Sequence, residues 1–224
     1  MLRPLGVMQG RLLPKYKGRY QAHPIGYWQD EFPLAAELGV DCIEYIFDYN
    51  DAEKNPLLTS VGYQEIQDLS GSTGVKVLSV CADYFMESPL HAVDEGIARR
   101  SSAVLERLLF ASSKLGIRDI VIPCVDRASI QNLTARDRLV ERLLKMVPCA
   151  EQCNVNLSLE TDLPPVQFGE LLNCFDSPRV TVNYDIGNSI SLGYDPSEEW
   201  NVYGKRVSDV HLKDRLLGGG SVQL

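Results

Sequence analysis

Two hydrophobic periods alternate along this chain from one end to the other. Runs in which apolar and polar side chains change places at every second residue read as strands: LGVMQG (5–10), DCIEYIFD (41–48), KVLSVCAD (76–83), DIVIPCV (119–125), NLSLETD (156–162), VTVNYDIGN (180–188) and VSDVHLKD (207–214). Between them, apolar residues recur at helical spacing over 29–39, 61–74, 92–116, 134–154, 164–175 and 196–204. Gly39, Gly74, Gly116 and Asn154 stand where four of those helices should stop, at the position that takes a left-handed backbone. Strict alternation of strand and helix predicts a parallel sheet, because parallel neighbours need a crossover between them.

The strand registers choose between an open sheet and a closed barrel. Asn156, Ser158, Glu160 and Asp162 share one face, opposite Leu157 and Leu159. Thr181, Asn183 and Asp185 oppose Val180, Val182 and Tyr184, while Asp209, His211 and Lys213 oppose Val210 and Leu212. Glu44 and Asp48 oppose Ile43, Tyr45 and Phe47. A central strand of an open sheet is covered by helices on both faces and should be apolar on both. Strands with one polar face suit a barrel interior, so the expected fold is α/β, a TIM (β/α)8-type barrel. No linker, repeat or low-complexity segment divides the chain, and residues 1–224 are expected to form one domain. Such a barrel takes about 250 residues. With 224 residues and seven strand-like runs, this one is expected to lack its eighth strand.

Composition narrows the function classes. The formal net charge of -8 repels phosphate backbones and anionic membranes, so no nucleic-acid or membrane partner is expected. No segment approaches the roughly 20 apolar residues that span a bilayer, and the first residues contain no secretory apolar core, which points to a cytoplasmic protein. The cysteines, Cys42, Cys81, Cys124, Cys149, Cys153 and Cys174, include no CxxC pair and read as buried free thiols.

Glu160, Asp185 and His211 each fall near the C-terminal end of a strand, on its polar face, 25 and 26 residues apart. That interval is one βα unit, so neighbouring strands would bring two carboxylates and an imidazole to the rim where barrel active sites are built. A lone strand carboxylate is more often paired with Lys or Arg, and a lone His is more often a hydrogen-bonded core residue. Three such residues in register favour a shared site. Oxygen and nitrogen ligands of this kind suit a divalent metal ion, Mn, Zn, Co or Mg.

The motifs LETD, NYDIGN and DVHLKDR, in this order and spacing, resemble the xylose-isomerase-like TIM-barrel superfamily of sugar epimerases and isomerases. The N-terminal MQGRLLP, followed by QAHP, Trp28, Glu31-Phe32, AAELG and IEYIFD, is similar to its sugar-phosphate branch, the L-ribulose- and L-xylulose-5-phosphate 3-epimerases, with D-tagatose 3-epimerase a related member. The resemblance implies a sugar or sugar-phosphate substrate and proton transfer next to a metal-bound carbonyl. It implies Glu160, Asp185 and His211 as metal ligands and Glu160 as an acid/base, with a second Glu on the eighth strand that has no counterpart here.

Arg215 and Lys213 follow the His and could hold a substrate hydroxyl or anion; a solvated rim Arg and a structural Lys ion pair are the alternatives. Glu44, inward on its strand, could touch substrate or order the pocket. Asn188 stands where free-sugar epimerases place a substrate-binding His, and Gln9, with Arg11, His23 and Trp28, could line the pocket mouth. An aldose–ketose isomerase or dehydratase on the same site is an alternative, as is a non-catalytic or incomplete barrel. A DNA-repair endonuclease of this fold would need many more histidines than the three present. Two unpaired strand edges in a shortened barrel predict a homo-oligomer.

Overall fold

The computed structural model describes residues 4–216. Seven strands alternate with helices: β1 (Gly6–Met8), α1 (Glu31–Glu37), β2 (Cys42–Ile46), α2 (Ser60–Thr73), β3 (Lys76–Cys81), α3 (Tyr84–Glu87), α4 (Glu95–Leu115), β4 (Asp119–Cys124), α5 (Leu133–Cys153), β5 (Asn156–Thr161), α6 (Pro165–Leu172), β6 (Val180–Asp185), α7 (Ile186–Leu192), α8 (Pro196–Tyr203) and β7 (Val207–His211). All pair in parallel, in the order β1 to β7, so each helix crosses over between adjacent strands. Among the described residues there is no eighth strand, and the sequence has no counterpart of the glutamate expected on it.

The alternation seen along the strands separates two environments. Ile43, Tyr45, Phe47, Ile120, Ile122, Leu157, Leu159, Val180 and Val182 face the helices and join one apolar core with Leu105, Leu108, Leu139 and Phe168. Glu44, Ser79, Asp119, Ser158, Glu160, Thr181, Asn183 and Asp185 alternate with them and are buried all the same. Those side chains fill the concave face of the sheet, as barrel packing requires.

Helix ends follow local chemistry. α2, α4 and α5 open on Thr59, Asp94 and Asn132, whose side chains accept from Gly62, Ile97 and Ala135 N–H. They close on Gly74, Gly116 and Asn154, all left-handed, as expected. The segment 186–188 departs from expectation. Read as the end of a strand, it starts α7, because Asp185 accepts from Asn188 N–H and turns strand directly into helix. The β6–β7 pairing also shifts by one residue, with Val207 opposite Val182 but Asp209 opposite Asn183. The extra residue, Ser208, turns inward and donates to Asp119 Oδ1 at 2.6 Å, so Ser208 and Asp209 both reach the interior.

Cys42, Cys81, Cys124 and Cys153 are buried free thiols as expected, whereas Cys174 is exposed. No helix among the described residues is long and apolar enough to cross a membrane.

Candidate metal centre

Glu160 is the next-to-last residue of β5, while Asp185 and His211 end β6 and β7 and are register partners. The parallel order therefore sets all three at the C-terminal rim of adjacent strands. His211 Nδ1 lies 3.7 Å from Asp185 Oδ2 and 3.9 Å from Glu160 Oε2. Each residue offers one ligand atom within 4.8 Å of the others.

The surroundings orient each group. Glu160 accepts from Asn183 Nδ2 on Oε2 at 3.0 Å and from Asn188 Nδ2 on Oε1 at 2.5 Å. Asp185 Oδ1 accepts from Asn188 N–H at 2.9 Å. Asp185 Oδ2 is buried and ion-paired with Lys213 Nζ. On its other side the His211 ring meets Glu44, with Nε2 3.0 and 3.1 Å from the two carboxylate oxygens. Ser79 Oγ donates to Glu44 Oε2 at 2.8 Å.

Asn183 Nδ2 also lies 3.0 Å from His211 Nδ1, the ring nitrogen on the Glu160 and Asp185 side, while Nε2 is turned to Glu44. Burial opposes a charge on His211, but Glu44, Asp185 and Glu160 outweigh it and push the imidazole up to about 11, a doubly protonated ring that would have to turn the Asn183 amide. Burial raises Glu160, while Asp185, against the effect of burial, is held low by His211 and Lys213. Negative charge is in surplus here, and a bound cation would remove the conflict.

The donor set fits a divalent ion. Metal–ligand distances of about 2.0–2.2 Å allow two ligands of one ion to stand up to about 4.4 Å apart, which the 3.7 and 3.9 Å separations satisfy. A second trio, Glu44, Asp209 and His211, is also compact. Glu44 is held by Ser79 and His211 and Glu160 by Asn183 and Asn188, so hydrogen bonding does not rank the two trios; Glu160, Asp185 and His211 are the set at the C-terminal rim of adjacent strands. The carboxylate behind His211 gives the arrangement that fixes a metal-binding imidazole.

The remaining expected residues divide. Glu44 and Asn188 belong to the group, hydrogen-bonded to His211 and Glu160. Lys213 is ion-paired with Asp185. Arg215 is half-buried at the end of the same loop. Gln9, expected at the pocket mouth, is instead fully buried, and its Oε1 takes Ile46 N–H at 3.0 Å and faces His23 Nδ1 at 3.2 Å. It clamps β1 to β2. His23 and Trp28 pack with Tyr45 beside it. Asn183 is the residue whose part sequence reading missed: its inward register was visible, its bridging of Glu160 and His211 was not. Two clefts, one between Tyr16, Arg19, Asp48 and Asn55 and one between Leu133, Leu163, Val166 and Glu170, do not include the trio.

The profile of the family described as Xylose isomerase-like TIM barrel matches residues 32–222. The chain belongs to this family. Among relatives of the xylose isomerase-like barrel, an L-ribulose-5-phosphate 3-epimerase, UlaE, of Salmonella paratyphi A is 26% identical over 205 residues, covering 85% of this chain and 70% of that protein. Solved structures share the fold at lower identity. A D-psicose 3-epimerase crystallised in the presence of D-fructose has a TM-score of 0.74 at 14% identity, covering 93% of this chain and 73% of that one. A xylose isomerase-like TIM barrel protein from Mycobacterium smegmatis in complex with magnesium has a TM-score of 0.69 at 19% identity, covering 94% and 74%.

Proposed function

We propose that the chain is a divalent-metal-dependent epimerase or isomerase of a sugar or sugar phosphate, with Glu160, Asp185 and His211 as metal ligands. The observation that carries this reading is the trio itself: two buried carboxylates and an imidazole, aimed at one point at the rim of a family barrel. The named epimerases among the similar proteins support the reaction class, and the magnesium complex of a fold relative supports a divalent ion.

When bound, the ion would supply Lewis-acid polarisation of a substrate carbonyl and so acidify the neighbouring C–H. The protein's own contribution is a proton acceptor held still. Glu160 has an amide donor on each carboxylate oxygen, so its orientation is set before substrate arrives. It would take the proton from carbon. Glu44 holds the His211 ring in place, and burial of the trio keeps bulk water from competing for the proton. Lys213, at the open side of the group, would meet anionic or hydroxyl oxygens of the substrate.

The test is proton exchange at carbon. Full-length protein with added Mn²⁺ would be incubated in D₂O with a panel of ketoses and ketose 5-phosphates and followed by proton NMR. The reading predicts loss of the signal on a carbon adjacent to the carbonyl for at least one substrate, and loss of that exchange in Glu160→Gln. Exchange with none of the panel, or exchange unchanged in Glu160→Gln, would refute it.

A further inference from the structure

We propose that Lys213 competes with a divalent ion for Asp185: its ammonium pairs with Asp185 Oδ2, the oxygen that faces His211, and is displaced when an ion joins Asp185 to His211. The inference rests on the metal reading above and adds to it a competitor built into the chain.

One oxygen of Asp185 faces the other two ligands. Oδ1 is committed to Asn188 N–H, where it caps α7. Oδ2 is the atom that faces His211 Nδ1 at 3.7 Å, and the same atom carries Lys213 Nζ. An ammonium against Oδ2 and a divalent ion on the same buried oxygen would repel each other.

The lysine is placed to leave. Its side chain is 37% exposed, against 2% for Asp185, so one side of it is open to water. Its stem is fixed where it crosses the start of α7. A Cβ on Gly187 would stand 2.6 Å from both Lys213 Cγ and its carbonyl oxygen, so the glycine makes room for the close approach. With the stem held there, the ammonium can move outward without the loop moving. The two other ligands are also held by a donor, since the Asn183 amide is 3.0 Å from both Glu160 Oε2 and His211 Nδ1. Lysine and amide together keep the empty trio assembled against its own repulsion.

Metal affinity would then be set against displacement of Lys213. The test uses full-length protein stripped with chelator, titrated with Mn²⁺ by calorimetry, and melted metal-free. Lys213→Met should bind Mn²⁺ about tenfold or more tightly than the parent, the scale on which groups behind metal ligands act. Its metal-free form should melt lower. Lys213→Arg keeps the charge and should remain near the parent. Arg215→Met, which removes one nearby positive charge without touching Asp185, should change affinity by less than about threefold, as a solvent-screened charge does. Equal or weaker Mn²⁺ binding by Lys213→Met, or the same gain from Arg215→Met, overturns the proposal while leaving the metal reading intact. Absence of Mn²⁺ binding by both parent and Lys213→Met overturns both.

Discussion

At the level of the strand ends, β2–β4 and β5–β7 line one interior with different chemistry. Ile46, Cys81 and Val121, joined by Met8 from β1, form a small apolar cluster inside the sheet. Across from it stand Glu160, Asn183, Asp185 and His211, buried and linked by hydrogen bonds and charge. The same alternation of in and out produces both, so geometry alone does not separate scaffold from site. What separates them is the identity of the inward residues on each strand. Glu44 joins the halves at the site: it rises from β2 and meets His211 of β7.

The division predicts that damage on one side should cost chemistry and on the other stability. Glu160→Gln keeps the size of the side chain and removes its basicity, and should lower turnover by about 10²–10⁴, the usual contribution of a positioned base, with little change in melting temperature. Steady-state kinetics beside calorimetry would check it. Ile46→Ala, on the apolar side, should cost about 2–5 kcal/mol of unfolding free energy, measured in denaturant, with Mn²⁺ affinity unchanged. An Ile46→Ala variant that folded normally but lost metal would erase the comparison.

Acid should also act on the β1–β2 side. Burial pushes His23 down to about 4, against a smaller opposite pull from Asp48. The folded state therefore resists protonating a ring that the unfolded chain protonates near 6.5. Stability from this group is present above about 6.5 and lost as pH falls toward about 4, by roughly 3 kcal/mol at most. His23→Asn should remove that part of the slope in unfolding measured across this range. The smallest expected effect is that of the bridge between halves. Glu44→Gln leaves Glu160 and Asp185 in place and should weaken Mn²⁺ binding by about 10–100-fold, the range for a group behind a metal-bound imidazole, read by titration.

Much of this arrangement was legible in the sequence because it depends on periods. Register placed Glu160, Asp185 and His211 inward, and unit spacing placed them on adjacent strands. Left-handed Gly74, Gly116 and Asn154 marked the helix ends because few residues tolerate that backbone. The rest depended on neighbours in space. Nothing local says that Asn183 and Asn188 each hold one oxygen of Glu160, because those partners lie 23 and 28 residues away. Gln9 looked like a polar residue at a strand end, free to face a ligand, until Ile46 N–H claimed its oxygen. Ser208 turns inward only because of the bulge between β6 and β7, and VSDVHLKD carries no mark of it.

The central claim is that Glu160, Asp185 and His211 share one ion. Anomalous diffraction from crystals of the full chain soaked in Mn²⁺ tests it most directly. The account predicts a single strong peak bonded to Glu160, to Asp185 Oδ2 and to His211 Nδ1, with Lys213 Nζ withdrawn from Asp185. A peak at Glu44, Asp209 and His211 Nε2 instead, or no peak at either trio, would contradict it.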